Sequence, residues 1–260
     1  MADGRMNKSD SDRVSFLSLF LAKDTGGVRC VEFVSDRIHK CCIDNGMLNL
    51  DPDTHEFPSE DRIRNAVMRS FQKVNADFRK WVLDNIPAED RQPHLGCIGC
   101  AIWVIGEWLV FSNLGDLKVL LAEEERDDDH SQGPRVIAPT IVPHPKRKMH
   151  YKDSSGYLEI RQVVNRHYPG NPSEAKRIRD TTASTKTISE DGLVYGEFPF
   201  TQAFGYMDYP ALNVDNEVMP YLHVEKIHPG MKWILVVSPE MSQRYSVEHI
   251  AAKFEESLFM

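Results

Sequence analysis

GCAIWVIGEWLVFSNLGDLKVLL, residues 99–121, decides the fold. Its first two runs are rich in β-branched and aromatic residues, and only Gly106-Glu107 stands between them. Two apolar runs joined by two residues, one a glycine, read as a β-hairpin. LKVLL, 117–121, reads as a further strand entered across a Gly115-Asp116 turn. The centre of the chain is therefore antiparallel sheet.

Upstream, VSFLSLFL (14–21) reads as a buried strand. Asp24 or Thr25 is placed to cap a following helix, and Gly26-Gly27 allow close backbone approach. Val31, Val34, Ile38 and Cys41 then recur at helical spacing. A second helix is expected from about Asp61, with Ile63, Val67, Phe71, Val74, Phe78 and Val82 as one stripe, ending before Pro87. Downstream, the acidic run EEERDDDHSQG and the basic PHPKRK predict a charged loop over about 123–156. That loop is either a solvated insertion or a docking segment that orders on binding. Pro172 opens a short helix with Ser173 near its cap. Phe198 to Asp208 is a turn segment, KWILVVS (232–238) a buried strand, and SVEHIAAKFEESLF a closing helix with Val247, Ile250, Phe254 and Leu258 on one side. Strands and helices come in blocks, which predicts an α+β fold with antiparallel sheet.

The chain has 260 residues, 41% of them hydrophobic, enough for one large domain or two small ones. Residues 1–13 read as a polar tail and 14–260 as the domain. A net charge of −8 with no basic face argues against nucleic acid as a partner. No apolar run approaches the roughly 20 residues that span a bilayer, so no membrane partner is expected. The polar N-terminus is unlike a signal peptide. Five cysteines without a secretory signal point to reduced thiols and a cytoplasmic or nuclear protein. Cys97-x-x-Cys100 is a single pair within a strand. It reads as structural, with redox or metal roles as alternatives.

The order of elements resembles the metal-dependent serine/threonine phosphatases of the protein phosphatase 2C family. FLSLFLAKDTGGVRCVEFV resembles that family's strand, glycine turn and helix. GCAIWVIGEWLVFSNLGDLKVLL resembles its central hairpin and Gly-Asp turn. NRHYPGNPSEAKRI resembles its Asp-His-x-Pro segment, FPFTQAFGYMD its Ser-Arg-Ala-Phe-Gly-Asp motif, and KWILVVSPEMSQRYSVEHI its last core strand, Asp-Gly turn and helix. The implied fold is a four-layer α-β-β-α sandwich lacking the family's usual C-terminal strand.

The resemblance implies a pair of Mg²⁺ or Mn²⁺ ions held mainly by aspartates, activating water and neutralising charge on phosphate. Matched residue by residue, the acids are mostly replaced. The family's early Glu-Asp pair falls on Arg5-Met6-Asn7-Lys8. Its bridging aspartate falls on Lys23, and its late Asp-Gly on Ser238-Pro239. In the switch segment, Thr201-Gln202 stand where the family has Ser-Arg, and Tyr206 where it has aspartate. Asp116 keeps an acid, at a position resembling a ligand of an outer metal, and is the residual metal candidate. Asp24, one residue past Lys23, is the alternative candidate.

The exchange at Lys23 weighs most. Replacing a bridging −1 group by +1 alters local charge by two units. At about 4 Å and an effective dielectric near 20, each unit charge against a dication is on the order of 8 kcal/mol before screening. Lys23 is then either a solvated turn residue or the filler of a vacated site, paired with Asp24 or Asp116. Asp116 is either a turn residue or a remaining ligand. Arg166, His167 and the other histidines show no paired metal spacing. Ser238 has no base placed beside it to make it a nucleophile. The expected function is a catalytically inactive, phosphatase-like binding module without a metal cofactor, engaging a kinase, a phosphoprotein or a phosphatase. A weak Mg- or Mn-dependent phosphatase is the alternative.

Overall fold

The computed structural model describes residues 14–49, 58–92, 94–124, 149–152, 157–182, 184, 186–213 and 217–258. In chain order the elements are β1 (Val14–Leu21), a 3₁₀ turn (Thr25–Gly27), α1 (Val28–Asp44), α2 (Glu60–Asn85), β2 (Gly96–Ile105), β3 (Trp108–Leu114), β4 (Lys118–Glu124), β5 (Met149–Lys152) and β6 (Tyr157–Gln162). There follow α3 (Pro172–Thr182), β7 (Phe204–Gly205), β8 (Tyr221–Lys226), β9 (Met231–Val237), α4 (Pro239–Arg244) and α5 (Val247–Leu258). This is the α+β class with two antiparallel sheets. The chain falls into two compact units, residues 1–117 with 166–226, and residues 118–165 with 227–260.

The larger unit is built on β1-β2-β3-β8, with β7 also pairing to β2. Ile105 faces Trp108 across the expected hairpin turn. The α2 stripe packs as its spacing predicts: Ile63, Val67, Phe71, Val74, Phe78 and Val82 are all buried. Burying one such side chain contributes about 1.5–3 kcal/mol, so α2 is held by its face, not by helix propensity. On α1 the buried face is Cys30, Val34, Ile38, Cys41 and Cys42, while Val31 is only half-buried. Arg64 of α2 donates to the Leu222 carbonyl on edge strand β8 at 3.1 Å. A long polar side chain thereby satisfies an edge acceptor.

The Gly115-Asp116 turn does not close a hairpin. β3 lies in the first sheet and β4 in the second. Gly115 has φ +108°, and a Cβ there would meet Ile98 Cβ at 2.4 Å, so only glycine makes this change of sheet. Alternation of apolar residues reports a strand but not which sheet it joins.

The smaller unit is the sheet β5-β6-β4-β9. Ile250 and Ala251 of α5 pack on Leu120, Ala122, Leu158, Ile160 and Val237, and Trp233 meets Phe254 edge to face. The Leu258 side chain lies outside the description. KWILVVS forms a strand, but only Val237 in it is buried. Among the described residues β9 pairs with β4 alone, and an edge position leaves an apolar strand half-covered. Most of the charged stretch 123–156 lies outside the described residues. At its borders Glu123 and Glu124 close β4 and 149–152 form β5, so strands reach further into it than the sequence predicts.

Two caps differ from expectation. Asn171, not Ser173, caps α3: its Oδ1 accepts from the Ser173 backbone N–H at 3.1 Å. Asp24 caps the 3₁₀ turn through Gly26 N–H at 2.8 Å, and α1 itself begins at Gly27 without a side-chain cap.

Candidate functional site

The turn after β1 presents Lys23 and Asp24. Lys23 makes an ion pair with Glu197, and its ammonium lies 4.7 Å from the Phe198 ring centroid. The sequence pointed instead to Asp24 or Asp116 as its partner. Asp24 Oδ2 contacts His94 Nδ1, and the other ring nitrogen of His94 contacts Glu197. Four side chains from three segments thus form one chain: Asp24, His94, Glu197, Lys23. The His94 hydrogen bond holds the Asp24 carboxyl below its ordinary range. Lys23 does the same for Glu197. The four side chains are 20–44% exposed, so water screens these contacts and each contributes modestly.

Tyr206 sits beside this cluster. Burial pushes its phenol well above the ordinary range, and Cys97, Cys30, Asp24 and Glu197 add to the shift. Its ring packs so closely on Gly96 that a Cβ there would lie 2.1 Å from Cδ2. Tyr206 has φ +47°, an uncommon conformation for a bulky residue. Where the resembled family has an acid, this chain has a buried aromatic ring.

Asp116 stands in the turn between β3 and β4. It is 2% exposed, and Arg166 Nε donates to its Oδ1 at 2.6 Å. The Arg166 guanidinium also stands 4.7 Å from the Tyr168 ring. Arg166, read from sequence as carrying no site role, is what neutralises the residual metal candidate. Ser238 Oγ accepts from Met241 N–H at 3.3 Å and caps α4, with Pro239 as its first residue.

A third cluster was not legible in the sequence. Glu174 of α3 is 5% exposed. It accepts from Thr201 Oγ1 at 2.6 Å, Arg177 Nη2 at 3.1 Å and Gln202 Nε2 at 3.4 Å. Tyr221 OH donates to it at 3.4 Å, and His167 Nδ1 stands at 3.5 Å. Burial opposes its charge, but His167, Arg177 and Thr201 together carry the carboxyl well below its usual range. Thr201 and Gln202, which replace Ser-Arg of the resembled motif, are members of this network. The Glu174–Arg177 spacing on one helix face was the one local signal for it.

These arrangements do not fit paired dications. The Lys23 ammonium stands at the turn that the resemblance matches to a bridging aspartate, a guanidinium holds Asp116, and His94 sits between Asp24 and Glu197. Among the described residues no group of three or more His, Cys, Asp or Glu side chains is placed to hold a metal ion. No described helix is long and apolar enough to cross a membrane.

The chain is similar in structure to a C. elegans sex determining protein, with TM-score 0.58 and 13% identity over 90% of this chain and 45% of that one. It spans less than half of that protein's length. It is also similar to serine-threonine phosphatase 2C from Toxoplasma gondii, with TM-score 0.59 and 13% identity over 94% of this chain and 75% of that one. At these identities the likeness shows the fold. No curated protein sequence matches the chain. The sequence model of protein phosphatase 2C matches residues 2–252. A match over nearly the whole length, together with the shared fold, means that the chain belongs to the protein phosphatase 2C family.

Proposed function

We propose that this protein is a catalytically silent phosphatase 2C-like protein that acts as a regulatory binding module. The observation that carries the reading is the Lys23–Glu197 ion pair, at the turn where the family places a bridging carboxylate. The Arg166–Asp116 pair supports it. A dication entering either place would have to displace a cation already bonded to a carboxylate, against the charge penalty set out above. The chain's own residues bind and orient one another there, and no step is derived through a metal. The partner is a kinase, a phosphoprotein or a phosphatase. The negative net charge supports a protein partner over nucleic acid. Reduced cysteines suit a cytoplasmic or nuclear place of action.

A second reading, weak Mg- or Mn-dependent hydrolysis, is favoured by one observation: the Asp24 side chain is 44% exposed and its carboxyl is held ionised. Hydrolysis of a phosphoserine peptide with and without Mn²⁺ separates the two. Equal rates with and without the ion are expected. A Mn²⁺-dependent rate that disappears in Asp24→Asn would overturn the silent reading.

A further inference from the structure

Cys97-x-x-Cys100 looks like a redox pair in the sequence, but strand geometry separates the two thiols. Successive side chains of a strand alternate faces, so residues three apart in β2 point oppositely. Cys97 packs into the helix-covered core with Cys30, Val34 and Phe204, a cluster that does not include Cys100. The partner of Cys97 comes from 67 residues away: Cys97 Sγ lies 3.4 Å from Cys30 Sγ. All five cysteines are free thiols. The Cys30 and Cys97 sulfurs, one on a helix and one on a strand, are in non-bonded contact.

We propose that Cys30 and Cys97 are an oxidation site, at which hydrogen peroxide converts the two thiols to a disulfide that staples the first turn of α1 to β2. One sulfur attacks the peroxide and cleaves its O–O bond, giving a sulfenic acid and one water. The second sulfur displaces the hydroxyl, which leaves as a second water. The two sulfurs give up two electrons to the peroxide, and both thiol protons end in water. Peroxide is the only co-reactant.

Both side chains are fully buried, and burial pushes the Cys30 thiol well above its ordinary range. The reaction is accordingly gated by opening of the helix end. Cys30 is the third residue of α1, Val28 beside it is 45% exposed, and helix termini open at low free-energy cost. The staple would join residues adjoining the close Gly27–Gly96 approach, one residue from the Gly96–Tyr206 contact and just after the turn that follows Lys23 and Asp24. Oxidation would therefore fix the segment that bears the Lys23–Glu197 pair. This holds whether or not the protein hydrolyses phosphate.

The test uses the full chain carrying Cys100→Ala, because Cys97 and Cys100 share one tryptic peptide. Folded, reduced protein is treated with hydrogen peroxide, alkylated under denaturing conditions, digested and mapped. A cross-linked peptide joining the 30–37 fragment to the Cys97 fragment is expected. A rise in Tm of roughly 5–10 °C, reversed by dithiothreitol, should accompany it. Recovery of Cys30 and Cys97 both alkylated would overturn the proposal. So would their conversion to sulfinic acid without a cross-link, or a cross-link that forms only when peroxide meets the unfolded chain. The map is read on a chain that keeps Cys30 and Cys97, and the Tm of the reduced Cys100→Ala chain against wild type shows that it is folded before peroxide is added.

Discussion

Asp24 and Asp116 are both turn aspartates beside glycine-bearing segments, and both are held by a basic side chain, but they are held differently. The Asp24 side chain is 44% exposed and joins a chain of four groups on the surface. That of Asp116 is 3% exposed and is bonded to Arg166. The carboxylate of the first pair meets water far more than that of the second, while their basic partners, His94 and Arg166, are similarly covered at 20% and 19% exposure. An exposed ion pair contributes up to about 1 kcal/mol, while removing one partner of a buried pair costs about 3–5. Asp116, which the resemblance matched to a ligand of an outer metal, is paired with Arg166 in the fold. The acid at Asp24 holds a surface turn together.

The largest expected effect tests that contrast directly. Asp116→Ala should lower unfolding free energy by about 3 kcal/mol, leaving Arg166 unpaired, whereas Asp24→Ala should cost under about 1. Urea unfolding of both variants reads the difference. Equal costs would break the comparison and place Asp116 in contact with water.

Glu174 sharpens it with a smaller effect. Glu174→Gln should cost about 2 kcal/mol near neutral pH, within the range for hydrogen bonds to charged groups. The Glu174 carboxyl holds its charge more tightly folded than unfolded. Its contribution is thus fully present above the unfolded value of about 4.3 and is lost as pH falls toward the lower folded value. The gap in Tm between wild type and Glu174→Gln should therefore narrow on acidification below about pH 4. A gap that widens there would show that Glu174 is not a charged acceptor in the fold.

What the sequence made legible was local. The α2 stripe and the β2–β3 hairpin repeat over a few residues, and each repeat reports one face or one turn. Three things were not local. The Lys23–Glu197 pair spans 174 residues, and the Glu174 network gathers Thr201 and Tyr221 from 27 and 47 residues away. The passage from β3 to β4 changes sheets, which periodicity cannot report. The α3 cap fell two residues early, because asparagine and serine are both good caps and only geometry chooses between them. The identity of Lys23 at the turn was plain from the sequence, but the carboxylate that takes up its charge was not.

On the proposed reading, basic side chains already hold the carboxylates that a dication would need. Calorimetric titration of Mn²⁺ into the folded wild-type chain tests it most directly. No saturable heat is expected into the millimolar range. Saturable binding of two ions, weakened by Asp24→Asn, would contradict it.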